Sequence, residues 1–145
     1  MTIKINAAIQ EETQTQQGSV SKKALWSGCI LSGVPALFLL LDAIMKLIKP
    51  AFVITATVQL GYSEHVIPGL GIVLLISTVA YLVRRTAILG AILLTGYLGG
   101  AVATHLRISD PLFSILLPVI FAAALWGGLY LRDKQLRALV PWRKL

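Results

Sequence analysis

Residues Val66 to Arg107 read VIPGLGIVLLISTVAYLVRRTAILGAILLTGYLGGAVATHLR. Two apolar runs flank the pair Arg84 and Arg85, and each is long enough to cross a hydrocarbon core of about 30 Å as a helix. Two adjacent guanidinium groups are costly inside a bilayer, so Arg84 and Arg85 mark a turn at a membrane surface. In lipid each run must satisfy its own backbone hydrogen bonds, which makes both of them helices, over 66–83 and 87–106. Thr86 is placed to cap the second of these helices.

Working outward, a further apolar run covers 24–47 and another 111–131, the latter opened by Asp110 as N-cap with Pro111 at the first helical position. Pro35 falls in the middle of the first span, where the bond it removes from the ladder predicts a kink. The 145 residues are 57% hydrophobic and only 13% charged, with a mean hydropathy of +0.81, far from the balance of a soluble domain. The pattern predicts an all-α protein, a transmembrane four-helix bundle over 22–140, preceded by a polar tail at 1–21 that lacks any apolar period. Residues 132–145 form a basic C-terminal segment.

The net charge of +7 follows the membrane rather than a nucleic-acid surface, since no basic stripe interleaved with aromatics is present. Lys4, Lys22, Lys23, Arg84, Arg85, Arg132, Lys134, Arg137, Arg143 and Lys144 fall on one side of the spans. Only Lys46, Lys49 and Arg107 fall on the other, so the positive-inside rule places both termini in the cytoplasm. Trp26, Trp126, Tyr130 and Trp142 fit an aromatic belt on the cytoplasmic side, and Tyr62 fits one on the outer side.

The segment PAFVITATVQLGY, Pro50 to Tyr62, alternates like a strand, but an isolated strand would leave its backbone unpaired at membrane depth. Read as a helix it gathers Val53, Ala56, Thr57 and Leu60 on one face. A short interfacial helix between the first and second spans is therefore expected.

Ionisable groups inside or bordering spans are the candidate functional residues. Asp42 lies near the outer end of the first span with Lys46 one turn beyond it, in the favourable acid-before-base order. Lys46 can neutralise Asp42 as a purely structural pair while its ammonium reaches toward the headgroups, and the same pair can equally form part of a site. His105 and Arg107 end the third span at the same level, and Glu64 and His65 open the second as secondary outer-face candidates. Leu94, Leu98, Ala101 and Val102 share the face of His105, whereas Gly96, Gly99, Gly100 and Ala103 lie opposite and read as a helix-packing face. With the glycines as the contact, His105 would turn to water.

The polar groups collect at one surface, and the fourth span offers only Ser114, which argues against a proton or ion path through the chain. Cys29 is the sole cysteine, so disulfides and thiol exchange within one chain are excluded, and it reads as a packing residue. Two histidines and one cysteine do not suffice for a haem pair, an iron–sulfur cluster or a zinc site, so no metal is expected. No nucleophile motif or phosphate-binding loop is present, and an isolated chain is not expected to be an enzyme.

The segments LDAIMKLIKP, VQLGY, YLVRRTAILGAILLTGYLGGAVATHLR and LWGGLYLRD resemble the DoxX-like family of small bacterial integral membrane proteins, from about Leu25 to Leu139. The resemblance implies a four-helix bundle in the bacterial cytoplasmic (inner) membrane. It also implies an association with redox metabolism, because the family's namesake is a subunit of a quinone-reducing thiosulfate oxidoreductase. On that basis the chain is expected to be a non-catalytic membrane subunit or small-molecule binder, with Asp42, Lys46, His105 and Arg107 holding a quinone or similar ligand. A redox partner protein, a homo-oligomer and membrane lipids are the expected partners. The alternative is a scaffold in which the same polar groups merely orient helices and the basic C-terminus holds a partner enzyme.

Overall fold

The computed structural model describes residues 22–133 and 136. The tail at 1–21 and most of the basic C-terminal segment, with Trp142, lie outside these residues. Helix α1 spans Lys22–Ile48, α2 Ala51–Gln59, α3 Ile67–Leu82, α4 Ala87–Arg107 and α5 Leu112–Arg132, with one 3-10 turn at Glu64–Val66 ahead of α3. Among the described residues there is no strand. Segment 51–59 is helical, with Val53 and Thr57 buried on the face read from the sequence.

Four helices are long and apolar enough to cross a membrane. They stand in a ring in which α1 contacts α3 and α5, and α4 contacts the same two neighbours. Diagonal pairs make no substantial contact, so the bundle can close or stay open along its axis depending on side-chain size. At most a third of each span is buried inside the chain, and large apolar side chains such as Ile30, Val34, Ile76, Phe113 and Ile120 face outward. In water such a surface would drive aggregation, whereas in lipid it is the solvated face.

At the end carrying Lys22 and Arg132 the helices are packed against one another. A Cβ on Gly128 would overlap Ser32, and one on Gly28 would lie 2.9 Å from the Gly128 carbonyl oxygen, so only glycine lets α1 and α5 approach so closely. A Cβ on Gly90 would likewise run into the backbone of Tyr81. The Tyr81 hydroxyl crosses the ring to donate to the Leu125 carbonyl at 2.8 Å, and the Arg132 guanidinium sits 5.0 Å from the Tyr81 ring centroid.

Hydroxyl groups within the spans are satisfied locally: Ser32, Ser77, Thr78 and Thr95 donate to the carbonyls of Gly28, Val73, Leu74 and Ala91, one turn back. Helix α1 runs unbroken through Pro35, as α5 does through Pro118.

Two expected caps are corrected. Thr86 does occupy the N-cap position of α4, but its hydroxyl donates back to the Ala80 carbonyl at 2.8 Å. Pro111, not Asp110, is the N-cap of α5, and the Asp110 carboxylate is engaged by His105 instead of a helix N–H.

Candidate functional site

At the end of the ring away from Lys22 and Arg132, the gap between the diagonal helices α1 and α4 opens into a cavity of about 500 Å³, walled mainly by α1, α2, α4 and α5, with Leu70 from α3. Its walls are mostly apolar: Phe38 and Leu39 from α1, Phe52, Val53 and Ala56 from α2, and Leu117, Pro118 and Phe121 from α5. Phe38 and Phe121 meet edge to face, with centroids 5.1 Å apart and planes at 76°. Polar side chains reaching the cavity are Asp42, Lys46, Thr57, Tyr62, Tyr97, Thr104 and His105. The Thr57 hydroxyl is spent on the Val53 carbonyl of its own helix.

Asp42 and Lys46 form the anticipated i, i+4 pair, with the Lys46 Nζ 2.5 Å from both carboxylate oxygens. The Lys46 side chain is 14% exposed and that of Asp42 34%, so the carboxylate is the more accessible member. Gly71 of α3 makes this placement possible, since a Cβ there would lie 2.9 Å from the Lys46 Cβ and push α1 away.

His105 turns toward the bundle and lines the cavity. Its Nδ1 lies 2.6 Å from Asp110 Oδ2, and the Asp110 backbone N–H donates to the His105 carbonyl at 3.0 Å. Ser109, at φ 54°, supplies the left-handed turn that brings Asp110 back onto His105.

Arg107 does not line the cavity. Its guanidinium donates to the Leu60 carbonyl at 2.8 Å, filling the space left by Gly61, whose φ of 85° and missing side chain make the turn after α2 possible. Glu64 is also removed from the cavity, pairing with Lys49 at 3.5 Å on the surface, and His65 is exposed. The six ionisable groups expected at one level are therefore divided, with Asp42, Lys46 and His105 lining the cavity and Glu64, His65 and Arg107 outside its lining.

The glycine face of α4 expected as a helix contact has no neighbouring helix within this chain. A Cβ on Gly96, Gly99 or Gly100 would meet nothing within 4 Å beyond its own helix backbone, and Ala103 is exposed. The intrachain contacts of α4 run along Ala87, Gly90, Ala91, Leu94, Leu98 and Thr104 instead. Leu94 and Leu98 are the large buried side chains of that stripe, and the absent side chains of Gly96 and Gly100 leave room in the cavity they line.

Tyr62, Tyr97 and Thr104 were not among the sequence candidates. Thr104 donates to the Gly100 carbonyl at 2.9 Å, so its single hydrogen is used and Tyr62 must be the donor in the 2.8 Å bond between the two hydroxyls. That bond, with the one from Arg107 to Leu60, ties the segment after α2 to α4. A helical signal exists for Tyr97 alone of the three: stepping back four positions at a time from His105 reaches Ala101 and Tyr97, and one such step from Asp42 reaches the cavity residue Phe38.

Among the described residues no group of three or more His, Cys, Asp or Glu side chains could hold a metal ion. Cys29 is exposed on the outward face of α1. The arrangement instead offers an apolar slot with hydrogen-bonding groups gathered on α1 and α4, the usual form of a small-molecule site.

A family model described as the DoxX-like family matches residues 30–128, a range containing every residue that lines the cavity. No curated protein matches the chain, and no solved structure does.

Proposed function

The chain belongs to the DoxX-like family, and we propose that this member is a multi-pass protein of the bacterial cytoplasmic membrane whose cavity binds a small lipid-soluble ring compound, a quinone or a molecule of similar shape, for a redox partner protein. The observation that carries the reading is the cavity itself. Its volume of about 500 Å³ lies within the usual range of small-ligand pockets, and its apolar walls with a few polar groups suit a ring bearing oxygen substituents.

Phe38, Phe52 and Phe121 would hold the faces and edges of the ring, while Asp42, Lys46, Tyr97 and His105 would meet its oxygens. A quinone supplies reversible two-electron chemistry when bound. The chain's part is to bind it, orient it and keep bulk water from its apolar face. Arg107 serves the site indirectly by fixing the segment after α2.

Arg84, Arg85 and Arg132 at the opposite end support a cytoplasmic placement of both termini. With that orientation α2 lies at the outer membrane surface, its buried residues Val53 and Thr57 turned toward the bundle. The exposed small residues Gly99 and Ala103 favour a second, compatible role, a helix surface on which a partner or another copy could seat closely.

Purification in a mild detergent followed by mass spectrometry of extracted small molecules tests the reading. The wild-type chain is expected to retain a ring lipid that is lost from Gly100→Trp, which fills the cavity from a position with open space around it. Absence of such a compound from wild type, even after incubation with decyl-benzoquinone, overturns it.

A further inference from the structure

We propose, building on the reading of the cavity as a site for a quinone-like ring, that it selects the hydroxyl-bearing, reduced form over the carbonyl-bearing, oxidised form, with His105 as the selecting residue and Asp110 as its positioning residue.

A neutral imidazole carries one hydrogen, on one of its two nitrogens. Nδ1 faces the Asp110 carboxylate at 2.6 Å, and an ionised carboxylate can only accept, so Nδ1 holds the hydrogen and donates it. In the neutral ring Nε2 is thereby left with a lone pair. It has no hydrogen-bond partner among the described residues, and His105 lines the cavity. Whatever meets Nε2 must bring a hydrogen of its own. A ring hydroxyl does so, whereas a carbonyl oxygen opposes one lone pair with another.

Other groups at the cavity tilt the balance the same way. Asp42 only accepts, and the Lys46 ammonium points at both of its oxygens. Tyr62 gives its hydrogen to Thr104 and so also presents an acceptor. Tyr97 can act in either sense. The set is richer in acceptors than in free donors, as a ligand with hydroxyl groups requires.

Asp110 does not line the cavity, so its effect on the ligand passes through His105. The backbone bond from Asp110 N–H to the His105 carbonyl fixes the pair from both sides, which makes the tautomer a property of the fold. A single hydrogen bond gained by one form and denied to the other corresponds to a preference of about tenfold. Tighter binding of the reduced form raises the midpoint potential of the bound couple by about 30 mV for each tenfold of preference.

The test uses the full chain in detergent without oxygen, comparing affinities for decyl-benzoquinone and its hydroquinone by calorimetry. Nitrogen-15 spectra of the histidine rings assign the tautomer, with His65→Gln separating the two histidines. The expected result is about tenfold tighter binding of the hydroquinone when the same spectra show a neutral His105 ring with its hydrogen on Nδ1. In Asp110→Asn, whose amide can donate to Nδ1 and release the other tautomer, the ratio should fall toward unity while both forms still bind. Equal affinities in wild type, tighter binding of the quinone, or a hydrogen on Nε2, whether in the neutral or the doubly protonated ring, would each overturn the inference and leave the cavity reading standing. Failure of both compounds to bind overturns the cavity reading, and the inference with it.

Discussion

Two sets of glycines in this bundle serve in opposite ways. Near Lys22 and Arg132, Gly28, Gly90 and Gly128 are sites where a neighbouring backbone occupies the space a side chain would need. At the other end Gly96 and Gly100 face open space, and the chain uses that space as a cavity. The residue type is the same, and what stands opposite it decides whether glycine admits a helix or leaves room for a ligand. One end is therefore closely packed and the other holds a cavity, with Asp42, Lys46 and His105 placed where the helices stand apart.

The contrast is broken most severely by Gly128→Leu. The new side chain must displace Ser32 and the α1 backbone, and a loss of about 3 kcal/mol or more is expected in denaturation of the detergent-solubilised protein. Tyr81→Phe removes the bond that ties α3 to the Leu125 carbonyl, and should cost about 1 kcal/mol in the same assay. Arg107→Ala acts at the open end. Amides of Ala51–Gln59 should exchange about tenfold faster with hydrogen isotope, as expected of a locally released segment, while global stability changes by less than about 0.5 kcal/mol. Smallest of all is Gly99→Leu, which meets no neighbour within the chain and should leave monomer stability within about 0.5 kcal/mol of wild type. A large loss there would place a second helix against that face.

Much of the architecture is legible in the sequence, because hydropathy and the Arg84–Arg85 interruption set span lengths that a bilayer constrains tightly. The Asp42–Lys46 pair is equally legible, since i, i+4 spacing on one helix fixes its own geometry. Periodicity also put His105 on the face of Leu94, Leu98 and Ala101, three residues that the structure finds turned toward the bundle or its cavity.

It could not say which face of α4 has a neighbour, because that depends on the rotation of each helix in the ring. Hence Gly96, Gly99 and Gly100 read as a packing face although they meet none. Asp110 was lost for a related reason. Its place before a proline is a common cap signal, but Ser109 turns the backbone so that the carboxylate reaches His105 first. Tyr62 and Thr104 join across 42 positions of chain, a distance over which helical spacing carries no information.

The central claim, that the open end is a ligand site, is tested most directly by photo-crosslinking. A photoreactive decyl-benzoquinone analogue should label peptides carrying Phe38 to Lys46, Phe52 to Leu60 and Tyr97 to His105, and the labelling should vanish in Gly100→Trp while that variant stays folded. Labelling spread over the outward residues Ile30, Ile76 and Phe113, or unchanged by Gly100→Trp, would contradict it.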